Sequence, residues 1–196
     1  MNSNFSLYRF NITIITFISL LFSVSCQSEY TKLVKKELNS GVVYDHLLYD
    51  IKFGDTRGDF YQICWGLNQK GLVTHGPSNQ YVQKILLPPD SLKTTDKIRM
   101  LFYATFTPND TIIGMDMKFS YVAWAPWNKD YSSIKLLPRV KDSILKWFPG
   151  NPFIMVNKNV YVKVDGNRQI EMKLESERDV SVLIEDLSYK YNTLLK

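Results

Sequence analysis

Histidine and cysteine are almost absent from this chain, with 2 of each in 196 residues, and the shortage removes whole classes of chemistry. A zinc centre needs three or four His, Cys or carboxylate ligands at close spacing. His46, Cys64 and His75 are too widely separated in the sequence to suggest one, so neither a metal nor a cofactor is expected. A Gly-x-Ser-x-Gly nucleophile elbow, a Walker A loop and a Gly-x-Gly-x-x-Gly fingerprint are also missing. Asp45 precedes His46, but adjacent loop residues rarely face each other, so no catalytic residue is assigned. The carboxylate pairs Asp55 with Asp59, Glu175 with Glu177 and Glu185 with Asp186 read as caps and solvated turns. No Lys/Arg run exceeds Lys35-Lys36, and a net charge of +5 spread thinly over the chain is a solubility term, which argues against nucleic acid as a partner.

Charge is missing altogether from Phe10 to Cys26, 17 residues that follow a lone Arg9. Ile12, Ile14, Ile15, Phe17, Ile18, Leu20, Leu21 and Phe22 make the run apolar, and the small Ser23 and Ser25 precede Cys26. This is the layout of a secretory signal peptide. A spanning helix needs about 20 mainly apolar residues, and the run, diluted by Thr13, Thr16, Ser19 and Ser23, falls short of a permanent anchor. It has no polar face either, which argues against a core helix.

With Cys26 at the start of the processed chain, the segment resembles the leaders of bacterial lipoproteins, which are cut before a cysteine that then carries acyl chains such as palmitate. The family prefers Leu, Val or Ile three positions before that cysteine, where this chain has Ser23. The resemblance implies residues 1–25 as signal peptide, 26–32 as lipidated cysteine and polar tether, and 33–196 as a single domain. It also implies an exported protein held at the outer membrane or periplasmic face of the cell envelope, with the membrane as a partner through the lipid. Lipidation leaves Cys64 unpaired; were Cys26 retained as a thiol, a Cys26–Cys64 bridge would be the alternative. The 171 residues that remain of 196 suffice for one core.

Leu33, Val34 and Leu38 suggest a short helix closing near Gly41, with Lys32, Lys35 and Lys36 on its polar side. Phe60, Ile63, Cys64 and Leu67 recur at helical spacing, with Thr56 as N-cap, Asp59 in the first turn, Trp65 on a flank and Gly71 as the stop. Beyond Gln80 the period becomes two. Tyr81–Leu87 is a strand, and Ile98–Phe106 and Ile113–Tyr121 form a hairpin across Pro108-Asn109-Asp110-Thr111. A helix from Pro138 to Phe148 follows. Val160, Val162 and Val164 then face Ile170, Met172 and Leu174 across an Asp165-Gly166 turn, and Val180–Ile184 is the last strand before a short C-terminal helix. The expectation is an α+β domain: an antiparallel sheet of about six strands with helices on one face, arranged as two αβββ units.

Phe53-Gly54-Asp55-Thr56 leading into Asp59-Phe60 is similar to the Gly-x-Thr-x-x-(Asp/Glu)-(aliphatic/aromatic) helix entry of BamE-type and BLIP-like αβββ lipoproteins, and Phe53–Gly76 resembles uncharacterised lipoproteins of Bacteroidota, a likeness that implies no activity. The feature that most suggests a binding surface is aromatic: Tyr121, Trp124, Trp127 and Tyr131 crowd one short segment. They either anchor a partner or plug the end of the core. The expected role is a non-catalytic protein-interaction module. Glycan or ligand binding through residues 121–131 is the second reading, and an envelope hydrolase using His46 or His75 the third.

Overall fold

The computed structural model describes residues 28–87 and 96–191. The expected leader and Cys26 lie outside them. Helix α1 (Glu29–Asn39) is followed by α2 (Arg57–Gln69), a meander of β1 (Thr74–His75), β2 (Val82–Leu86), β3 (Ile98–Phe106) and β4 (Ile112–Tyr121), and then α3 (Ser133–Trp147). A second meander of β5 (Ile154–Asn157), β6 (Val160–Asp165), β7 (Arg168–Leu174) and β8 (Val180–Asp186) ends in the one-turn α4 (Leu187–Tyr189). All eight strands form one antiparallel sheet in the order β1-β2-β3-β4-β8-β7-β6-β5. Each half is thus a helix plus a four-stranded meander, and the two halves join through their last strands. Among the described residues, no helix is long and apolar enough to cross a membrane.

The α+β class stands, but six strands is an undercount. The two additional strands are the sheet edges: β1 has only two residues, and β5 is a short run interrupted by a bulge between Met155 and Asn157. Three element boundaries also differ from the expectation. α1 starts at Glu29, because the Ser28 side chain caps Thr31 N at 3.1 Å, so most of the expected polar tether is helical. α3 starts at Ser133 and carries Pro138 inside it. There Ser133 N donates to Glu177 O (2.9 Å) and its hydroxyl to Ser176 O (2.6 Å), tying the helix start to the β7–β8 loop. His75, expected in a loop, is the second residue of β1.

Alternation divides the sheet into two unlike faces. Met100, Phe102 and Ala104 of β3 lie beside Met117, Phe119 and Met115 of β4, Val182 and Ile184 of β8, and Ile170 and Met172 of β7, all at or below 2% exposure. α3 covers this face with Leu136, Val140 and Ile144, one stripe at i, i+4, i+8, while Trp147 stacks on Phe119 at 6.3 Å. Each such aliphatic side chain contributes about 1.5–3 kcal/mol by leaving water. Leu47, Leu48 and Ile51, from the irregular segment before α2, complete this core.

Helices do not keep to one face, which corrects the expected layering. β6 and β7 are joined through Gly166-Asn167, so Val162 pairs with Glu171 and Val164 with Gln169. The valines therefore point away from Ile170 and Met172, and α1 covers them with Val34 in a separate small core that includes Leu187. A two-residue loop pairs even-numbered with odd-numbered positions, so the strand's alternation turns the valines to one face and the intervening residues to the other. It places Lys163 and Asp165 on the main-core side, where both are fully buried. Lys163 Nζ donates to Asp165 Oδ2 (2.5 Å) and to the carbonyl of Phe148 (2.8 Å), the C-terminal cap of α3. Asp165 Oδ1 accepts from Asn151 N at 2.7 Å, and Arg168 stands 3.6 Å from Oδ2, its guanidinium over the rings of Tyr44 and Phe148. Burial lowers the pKa of both Lys163 and Arg168.

Candidate functional site

Helix α2 is built as its sequence indicates. Thr56 Oγ1 accepts from Asp59 N at 3.2 Å while the Asp59 carboxylate accepts from Thr56 N at 2.9 Å, a reciprocal capping box. The preceding residues are sewn to the start of β4: Gly54 N donates to Ile112 O (2.9 Å) and Ile112 N to Asp55 O (2.8 Å). Gly54 sits at φ +87, which L side chains rarely adopt. At the other end Gly71, at φ +68, terminates the helix, its N–H donating to Asn68 O at 2.8 Å. These ties fix where α2 lies relative to β2 and β3.

Between α2 and the β1–β2 edge of the sheet is a cleft of about 660 Å³. Its floor is Phe60, fully buried, which meets Tyr103 edge-on at 5.2 Å and Phe106 at 5.9 Å. Tyr61 and Trp65, one helical turn apart, stand at the mouth and are 51% and 65% exposed; His75 and Tyr81 line the opposite wall. The Tyr61 and Tyr103 hydroxyls are hydrogen-bonded at 2.9 Å, and the Tyr81 hydroxyl donates to Asp116 Oδ2 at 2.9 Å. Tyr81 and Tyr103 also border a second, more polar hollow of about 390 Å³ that contains Arg57 and Asp116. Arg57 is held there by Asp110 at 2.8 Å and lies 4.1 Å above the Phe106 ring. An apolar ring-lined cleft that shares Tyr81 and Tyr103 with a charged hollow can hold a group with a flat or aliphatic body and a polar end.

Cys64 lines the same cleft but is buried, and burial pushes its thiol up to about 12. It is therefore protonated and behaves as a small apolar side chain. His46 lies in a different hollow, with Tyr49 and Lys84, so the two imidazoles are not brought together. The carboxylate pairs are occupied structurally: Asp55 accepts from Lys52 N, Asp59 caps α2, Glu175 pairs with Lys118, Glu177 with Lys129, Glu185 with Lys190, and Asp186 caps α4. Among the described residues no three His, Cys, Asp or Glu side chains are grouped so as to hold a metal ion.

The aromatic segment divides. Tyr121 is buried and edge-on to Tyr131 at 5.2 Å, Trp124 packs on the main core beneath Arg178, and only Trp127 is free, at 85% exposure. Trp124→Ala is therefore expected to lower stability by about 2–3 kcal/mol, and Trp127→Ala to change it by less than about 0.5 kcal/mol, both read from urea unfolding midpoints. Equal effects would mean that Trp124 is not part of the core. Tyr61, Tyr81 and Tyr103 escape sequence reasoning; the available signal is Tyr61 and Trp65 at i, i+4 on the flank of α2 that adjoins Phe60 and Cys64 of its apolar stripe. Comparison with protein-family models, curated proteins and solved structures finds no match for the chain.

Proposed function

We propose that this chain is a cell-envelope lipoprotein, tethered to the outer membrane or the periplasmic face of the envelope by acyl chains on Cys26, and that it works as a non-catalytic protein-interaction module. The observation that carries the binding role is the cleft of about 660 Å³, with Tyr61 and Trp65 exposed at its mouth and Phe60 buried as its floor. Rigid aromatic rings lose little entropy on binding and recur as anchors of protein interfaces. An apolar or aromatic side chain of the partner fills the cleft in this reading, and Arg57 with Asp116 selects the polar group attached to it. The protonated Cys64 and the separated histidines favour binding over a hydrolase. A glycan is the second reading: four exposed or cleft-lining rings, Tyr61, Trp65, Tyr81 and Tyr103, can stack on sugar, and Trp127 offers one more at the segment expected from sequence. The helix-plus-meander plan of each half supports an internal duplication that extends the expected αβββ unit by one strand.

Two measurements test the proposal. Cys26→Ala releases the chain from the membrane fraction; a variant that stays membrane-bound and uncleaved replaces the lipid tether with an anchor helix. Cross-linking in intact cells followed by mass spectrometry identifies a partner, and Tyr61→Ala with Trp65→Ala abolishes that cross-link while stability stays within about 1 kcal/mol. An undiminished cross-link moves the interface elsewhere.

A further inference from the structure

The first described residue of α1 is its cap, Ser28, so in the lipoprotein reading on which this inference rests only Gln27 stands between the acylated Cys26 and a packed helix. Two residue steps reach about 7 Å at most, so the first turn of α1 is held at the bilayer surface. The helix cannot swing away from the domain. Val34 is buried against Val162 and Val164, the Tyr30 hydroxyl donates to Gln169 Oε1 at 2.6 Å, and Gly166 N donates to the Glu37 carboxylate at 3.0 Å. Whatever surface flanks the start of α1 must therefore meet lipid.

That surface is basic and apolar together. Lys32, Leu33 and Lys36 share a shallow groove of about 270 Å³ with Pro152 and Ile154 at the start of β5, where two lysines outnumber the single carboxylate of Glu29. β5 is the outermost strand of the sheet; Ile154, paired with Val162, faces α1, Met155, paired with Tyr161, is on the other face, and the bulged Val156 (42% exposed) precedes the turn that carries the exposed Lys158. Exposed aliphatic side chains beside lysines match the boundary between acyl chains and anionic headgroups. We propose that the strip formed by Lys32, Lys36, Val156 and Lys158 lies on an anionic lipid bilayer, the lysines on phosphates and Val156 in the headgroup–acyl boundary. The aromatic cleft, at the β1–β2 edge, is at the opposite end of the strand order and so faces away from the membrane.

The test takes the full-length protein from its membrane, in detergent and after reconstitution into vesicles of phosphatidylethanolamine with phosphatidylglycerol. A membrane-impermeant amine reagent is applied and each lysine is quantified by peptide mass spectrometry. Lys32, Lys36 and Lys158 are expected to lose most of their labelling in the anionic vesicles, while Lys70, at the end of α2, keeps its own. Vesicles of phosphatidylcholine alone restore labelling of the three. An acylated Cys26 with equal labelling of the three lysines in vesicles and detergent overturns the inference and leaves the tether standing, as does a uniform fall that includes Lys70. A Cys26 peptide without acyl chains overturns the tether and this inference with it.

Discussion

Asp165→Asn is expected to destabilise the fold by about 3–5 kcal/mol, whereas Lys163→Met costs only about 1.5–3 kcal/mol, the value of a lost hydrogen bond to a charged donor. The reason is an imbalance in a buried cluster. Lys163, Asp165 and Arg168 have side chains exposed by 0%, 2% and 4%, so one carboxylate serves two cations out of reach of water. Removing the carboxylate leaves two buried positive charges facing an amide. Removing Lys163 leaves Asp165 paired with Arg168 and sacrifices the Lys163 bond to the Phe148 carbonyl at the end of α3. Urea unfolding of both variants measures the difference, and a Lys163→Met loss as large as that of Asp165→Asn would refute this ordering.

The same cluster fixes a pH signature. Burial, the first cause, holds Lys163 below its ordinary pKa despite the hydrogen bond and charge of Asp165. Between the lowered folded value and the ordinary unfolded value, the unfolded chain binds the extra proton, so the stability contributed at this site rises with pH across that window. The stability of the native protein minus that of Lys163→Met should accordingly increase on the alkaline side, and a difference independent of pH would show that Lys163 is charged throughout.

How far this cluster could be read from sequence depends on parity. A two-residue hairpin loop pairs even-numbered with odd-numbered positions, so the expected Asp165-Gly166 turn and the Gly166-Asn167 loop that forms both set Val160, Val162 and Val164 on the face opposite Ile170, Met172 and Leu174. Apolar rows on both faces require cover on both, which α1 and α3 supply. Lys163 and Asp165 look like the solvated positions of the strand only if the valines form its single core row. α2 and the β3–β4 hairpin are legible because their signals are local: a capping box, a stop glycine and strict alternation. The cleft is not, since its walls come from β1, too short to show a period, and from tyrosines on α2, on β3 and just before β2 whose meeting depends on how α2 docks. The aromatic cluster at residues 121–131 misleads for the opposite reason: proximity in sequence says nothing about which rings turn inward, and Tyr121 does so because it continues the buried row of β4.

Phe60 is where fold and candidate site depend on the same side chain, and Phe60→Ala is expected to cost about 3–5 kcal/mol. The ring is fully buried and makes edge contacts with Tyr61, Tyr103 and Phe106 at 5.8, 5.2 and 5.9 Å. Each aromatic pair adds about 0.5–1.5 kcal/mol beyond the area buried, so truncation removes several such terms and leaves a void beneath the cleft. Tyr103 and Tyr61 are then held mainly by their mutual hydroxyl bond at 2.9 Å. Cys64 lies one turn further along α2 on the same side, and its thiol, now shielded, becomes reachable through the void. The variant should therefore combine a lower unfolding midpoint with faster reaction of Cys64 with a thiol reagent under native conditions. Phe60→Leu fills most of the space and should cost about 1–1.5 kcal/mol with little change at the thiol. If Phe60→Ala lowers stability without changing the Cys64 rate, the void collapses and α2 shifts inward, and the cleft is a property of helix docking and does not depend on this ring.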